Sequence, residues 1–147
     1  INSMEIYVDR KKRKLALTRK KMNLKIGNSE INDNRPTYFI ADIGANHDGS
    51  LKRAKKLIQM CSEAGANAAK FQHFKARTIV SDNGFKALDK KYLSHQSGWS
   101  KSVFEVYQEA SINVSWDSEL KKTCDRFGID YMTTPYDRDL VDHVTRS

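Results

Sequence analysis

Long hydrophobic runs are missing from this sequence. No apolar stretch approaches the roughly 20 residues that cross a bilayer, and the first residues lack the apolar segment of a signal peptide. A membrane-spanning protein is therefore not expected. Cysteine is scarce as well: Cys61 and Cys124 fall on predicted helices far apart in the chain, which reads as two reduced, buried thiols in a cytoplasmic protein. Four ligands at zinc spacing are absent, so no metal site is expected among these residues. Charge of one sign is also missing from most of the chain, despite a formal net charge of +8. Residues 1–21 hold eight of the 26 basic and two of the 18 acidic side chains, a net +6, which leaves only +2 for residues 22–147. Such a tail can bind polyanions by releasing counterions. Its composition, followed by Met22 as a natural start, reads instead as a disordered or upstream-encoded extension, and no nucleic acid is expected as a partner. What remains, 39% hydrophobic and 30% charged over 147 residues, suits one soluble domain with a real core.

The chain is organised around Phe39-Ile40-Ala41-Asp42-Ile43-Gly44-Ala45-Asn46-His47-Asp48-Gly49, an apolar run that ends in polar groups and glycines. Tyr38 to Ile43 is long enough for a strand and too short for a helix, and Pro36 disfavours helical entry. Asp42, near the end of that strand, needs a partner or a task, because an unpaired buried charge costs several kcal/mol, roughly. The loop that follows sets amide, imidazole and carboxylate side by side in Asn46, His47 and Asp48.

Helical spacing of Leu51, Ala54, Leu57, Ile58 and Cys61 predicts a helix from Ser50, its N-cap, to Ala64, with Gly65 as the stop. Asn67 to Phe74 is predicted as a second strand, in which Lys70 and Gln72 share one face while Ala69, Phe71 and His73 share the other. Two polar groups pointing together from a buried strand must find partners, and an anionic ligand would satisfy both. Residues 75–114 break the rhythm, with a polar Ser94–Gly98 turn and a helix near Ser102 to Ala110. A helix capped by Ser115 or Asp117 then runs to Gly128, followed by a strand from Ile129 to Thr134 and a last helix from Asp137 to Arg146. Asn23 to Ile31 reads as a short hairpin around Gly27-Asn28. The repetition of strand, helix and glycine predicts βαβ units on a parallel sheet, with the notable polar groups gathered at the carboxyl ends of the strands. The fold class is α/β: about three βα units, the N-terminal part of a truncated (β/α)8 barrel, because a barrel needs eight strands and about 250 residues. Residues 1–21 form the basic extension and residues 22–147 the partial barrel.

Read together, Ile40-Ala41-Asp42-Ile43-Gly44-Ala45-Asn46-His47, Glu63-Ala64-Gly65-Ala66 with Ala69-Lys70-Phe71-Gln72, and Thr134-Pro135-Tyr136-Asp137 resemble the sialic acid synthase family. The resemblance implies a TIM barrel followed by an antifreeze-like domain, in an enzyme that works as a homodimer. It implies condensation of phosphoenolpyruvate with N-acetylmannosamine or a related amino sugar, giving a nonulosonic acid and phosphate. It also implies a divalent metal, Mn2+ or Mg2+, whose histidine ligands lie beyond residue 147. Carried over by residue, Lys70 and Gln72 hold phosphoenolpyruvate, Thr133 or Thr134 donates to its phosphate, and Asn46 and His47 shape the sugar site. Asp42 takes an acid/base position where the family more often has glutamate, one methylene longer. The 147 residues alone are expected to be inactive. Two other readings compete: an aldolase-like barrel enzyme with Lys70 as Schiff-base nucleophile, and a non-catalytic remnant or basic-tailed binding module.

Overall fold

The computed structural model describes residues 4–9, 14–19, 24–87 and 98–146, which divide into two compact units, Ile1–Tyr38 and Phe39–Ser147. The first unit holds two antiparallel hairpins. Strand β1 (Met4–Asp9) pairs with β2 (Lys14–Arg19), from Met4 opposite Arg19 to Asp9 opposite Lys14. Both strands fall within the stretch expected as a basic extension, residues 1–21. Strands β3 (Leu24–Ile26) and β4 (Ser29–Ile31) form the expected short hairpin, closed by Gly27 at φ +54°. The break between the units falls after Tyr38, not after residue 21.

The second unit is built on a parallel sheet of three strands in the order β5 (Ile40–Gly44), β6 (Ala68–His73) and β7 (Asp130–Pro135). Helical crossovers join them, as parallel pairing requires. Helix α1 (Leu51–Glu63) starts where Ser50 Oγ accepts the Arg53 N–H and stops before Gly65 at φ +85°. After β6 come two short helices that periodicity does not reveal, α2 (Ala76–Ile79) and α3 (Asp82–Ala87), then α4 (Val103–Ala110), opened by a capping box between Ser102 and Glu105. The Ser94–Ser97 part of the expected polar turn lies outside the described residues.

Asn113 caps a single 3-10 turn, Val114–Trp116, which leads directly into α5 (Asp117–Arg126). Asp117 is thus the first residue of that helix and not its cap; its carboxylate is engaged elsewhere. After β7 the described chain ends in α6 (Arg138–Arg146), with Asp137 Oδ1 accepting the Leu140 N–H.

One face of the sheet carries the core, in which Ile43, Ala69 and Phe71 meet Ala54 and Ile58 of α1 and Leu120 and Cys124 of α5. Both cysteines are free thiols, and burial pushes the Cys124 thiol up to about 12. Among the described residues no helix is long and apolar enough to cross a membrane.

Candidate active site

The opposite face of the sheet gathers the polar groups. Parallel register sets Asp42 beside Lys70, and Gln72 beside Thr134. Alternation along β6 sends Lys70 and Gln72 away from buried Ala69, Phe71 and His73, as the pattern predicts. Lys70 Nζ lies 3.4 Å from Asp42 Oδ1, with the lysine side chain 28% and the aspartate side chain 56% exposed. An ion pair this open stabilises by at most about 1 kcal/mol. Stability therefore does not account for the choice of these two residues.

Strand β5 is irregular where it meets them. The register shifts between Asp42 and Gly44, and Gly44 sits at φ +56°. A Cβ there would stand 3.4 Å from Gln72 Nε2 and 3.7 Å from Asp42 Oδ1. Those are ordinary contact distances, so it is the positive φ rather than crowding that calls for glycine beside the carboxylate and the amide.

Thr133 and Thr134 part company. Thr134 pairs with Gln72 on the open face, whereas Thr133 pairs with Phe71 and places Oγ1 2.5 Å from His73 Nδ1, on the helix-facing side. Of the two hydroxyls named from the sequence, only that of Thr134 joins Asp42, Lys70 and Gln72.

The loop after β5 behaves differently from its polar composition. Successive turns, with Asn46 N–H donating to the Ile43 carbonyl and Ser50 N–H to the His47 carbonyl, fold it back on the core. His47 is wholly buried, 5.8 Å from the Trp116 ring and 6.5 Å from Phe71, measured between ring centroids. It cannot line the open face, which corrects its expected part in a sugar site. Burial lowers its pKa, partly offset by the nearby Asp48 carboxylate. Asn46 is exposed, and its carbonyl accepts Arg53 Nε at 2.8 Å.

Sequence reasoning missed a second polar cluster, behind the sheet. Asp117 Oδ1 accepts from His73 Nε2 and from the Tyr131 hydroxyl, each at 2.9 Å, and Oδ2 accepts from His143 Nε2 at 2.8 Å. The only local signal was a histidine placed among apolar residues on the core side of β6. A cavity of about 750 Å³ opens beside this cluster, lined by Asp117, Tyr131, Thr133, His143 and Lys122, among others, and by none of Asp42, Lys70 or Gln72.

No group of three or more His, Cys, Asp or Glu among the described residues is arranged to hold a metal. What the open face offers is a cation, an amide and a hydroxyl for an anion, with a carboxylate adjoining.

The chain is 32% identical over 108 residues to an N,N'-diacetyllegionaminic acid synthase of Campylobacter jejuni, covering 74% of this chain and 31% of that protein. It is 33% identical over 114 residues to the human N-acetylneuraminate-9-phosphate synthase, covering 78% and 31%. Its fold matches the crystal structure of an N-acetylneuraminic acid (sialic acid) synthetase from Leptospira borgpetersenii with a TM-score of 0.66 at 22% identity, over 86% of this chain and 38% of that one. The chain thus spans about a third of the length of these relatives. The NeuB family model matches residues 57–147, from the middle of α1 through β6, α5, β7 and α6, and with Lys70, Gln72 and Thr134 inside that match the chain belongs to the NeuB family.

Proposed function

We propose that the Asp42, Lys70, Gln72 and Thr134 face is the phosphoenolpyruvate-binding part of a nonulosonic acid synthase active site. In this reading β5, β6 and β7 are the first three strands of an eight-stranded barrel. The reaction joins C3 of phosphoenolpyruvate to the aldehyde carbon of N-acetylmannosamine or a related amino sugar, water adds at C2, and phosphate leaves by C–O cleavage. The observation that carries the reading is the Lys70 ammonium, held 3.4 Å from Asp42 on an open sheet face beside Gln72 and Thr134.

Each group has a task that its chemistry suits. Lys70, ion-paired with Asp42, supplies the fixed positive charge that a trianionic ligand needs. Gln72 donates its amide and Thr134 its hydroxyl to carboxylate or phosphate oxygens. Asp42, adjoining the cation, accepts from the incoming sugar and holds or releases a proton next to the reacting carbons. No step is assigned to the divalent metal, whose ligands are not among the described residues. A Schiff-base lysine attacks as the neutral amine. Lys70 is instead ion-paired with Asp42, which favours anion binding over the aldolase-like alternative.

Calorimetric titration of the chain with phosphoenolpyruvate tests the proposal. Removing a charged hydrogen-bond donor in Lys70→Ala is expected to weaken binding about 10- to 100-fold. Unaltered affinity in that variant would remove the assignment. Turnover is expected only from a chain that completes the barrel, since three strands cannot enclose both substrates.

A further inference from the structure

Behind the site face lies a buried hydrogen-bond network that the proposed chemistry does not use. Asp117 is 5% exposed and His73 wholly buried. The Asp117 carboxylate, at the start of α5, takes hydrogen bonds from His73 on β6, Tyr131 on β7 and His143 on α6. One side chain therefore ties four elements together.

The proton positions follow from chemistry. A carboxylate only accepts, so Nε2 of both imidazoles donates to it, while Nδ1 of His73 shares a hydrogen bond with the Thr133 hydroxyl. Burial alone would raise the Asp117 pKa. The hydrogen bonds from His73, Tyr131 and His143, with the nearness of His73, outweigh it and hold the carboxyl below its ordinary value.

We propose that His73 and Asp117 are positioning residues for the anion site: through Thr133 they fix the rotation of the end of β7, and so the direction in which Thr134 presents its hydroxyl beside Gln72. The inference rests on the phosphoenolpyruvate reading above and deepens it. Successive side chains on a strand point to opposite faces, so Thr133, tethered at 2.5 Å on the helix side, sets Thr134 on the other face beside Gln72. A ring locked at both nitrogens cannot swing, and its anchor Asp117 is itself held by two further donors. This is the arrangement that keeps a binding hydroxyl within a fraction of an ångström of its working place. A network kept only for stability is a weaker account, because buried polar clusters are often replaceable by apolar residues without loss.

The test uses the 147-residue chain. Phosphoenolpyruvate affinity is measured by calorimetry for the wild type, Thr133→Val, Thr133→Ser, Asp117→Asn and Lys70→Ala, with urea unfolding of each and 15N NMR of the His73 ring. Thr133→Val keeps the shape but removes the hydroxyl, and is expected to weaken binding about five- to tenfold; Thr133→Ser restores it to within about twofold. Asp117→Asn, whose amide nitrogen donates where one carboxylate oxygen accepted, is expected to change the His73 ring 15N shifts and to weaken binding similarly. If the Asn variant does not fold, the Val and Ser pair decides alone. Wild-type affinity in Thr133→Val, with Lys70→Ala impaired, overturns the positioning role and leaves the anion site standing. No binding by the wild type, or equal binding by Lys70→Ala, overturns both.

Discussion

At the scale of single residues, His47 shows how a polar side chain can serve the interior. Its Nδ1 accepts the Gly49 N–H at 3.1 Å, so Nε2 carries the proton, and that buried atom has no hydrogen-bond partner. Charging this ring in the folded state costs more than in water, which is why burial lowers its pKa. The sign of the pH effect follows. The unfolded chain takes up a proton near the ordinary histidine pKa of about 6.5, the folded chain only below it, so stability is full above that pH and falls as the solution is acidified through the window between the two values. Urea midpoints are expected to drop between pH 7.5 and 5.5. The drop should be smaller in His47→Asn, whose carbonyl can still accept from Gly49 but which does not titrate; an equal drop in both proteins would remove His47 as the cause. The same residue explains one limit of sequence reading. An imidazole between Asn46 and Asp48 suggests a site, but the turns that fold the loop back on Trp116 and Phe71 depend on packing with α5, which no local pattern reveals. Lys70 and Gln72 were legible because strand alternation alone determines their face.

At the scale of elements, the same distinction holds between signals that are local and signals that are not. Helix α1 could be read from Ser50 and Gly65, and α5 from its apolar stripe and from Gly128 at φ +68°, because caps and positive-φ stops are properties of one or two residues. Helices α2 and α3 span four and six residues, too few to show a period, and escaped notice. Its place before a helix makes Asp117, like Ser115, read as a cap. Its true partners lie 14, 26 and 44 residues away, so its role emerges only when β6, β7 and α6 are packed. The α5 stripe makes a quantitative prediction. Leu120 is fully buried against the core shared with α1, while Lys121 beside it is exposed and pairs with Asp125. Leu120→Ala is expected to cost about 2–5 kcal/mol in urea unfolding, because the cavity cannot collapse between a helix and a sheet. Lys121→Ala should stay within about 0.5 kcal/mol. Equal effects at the two positions would mean that α5 does not dock by this stripe.

At the scale of the whole molecule, charge and architecture divide the chain at different places. The compact units part after Tyr38, but the basic surplus is confined to residues 1–21, which carry +6 of the net +8. Pairing of β1 with β2 draws Lys14 and Arg19, two of those eight basic residues, into one pair of antiparallel strands. The proposed anion site, by contrast, draws on one lysine in a unit whose remaining charge is nearly balanced. Two kinds of anion binding are therefore separable. Attraction of a polyanion scales with the number of cations that release counterions, whereas a small anion on the sheet face depends on geometry around Lys70. Deleting residues 1–21 removes eight of the 26 basic side chains and is expected to shift elution from heparin to clearly lower salt, while phosphoenolpyruvate affinity stays within about twofold, since Asp42, Lys70, Gln72 and Thr134 all belong to the second unit. Lys70→Ala should do the reverse, leaving heparin elution almost unchanged. Heparin retention that survives the deletion would place the polyanion surface on the second unit and make the basic hairpin irrelevant to it.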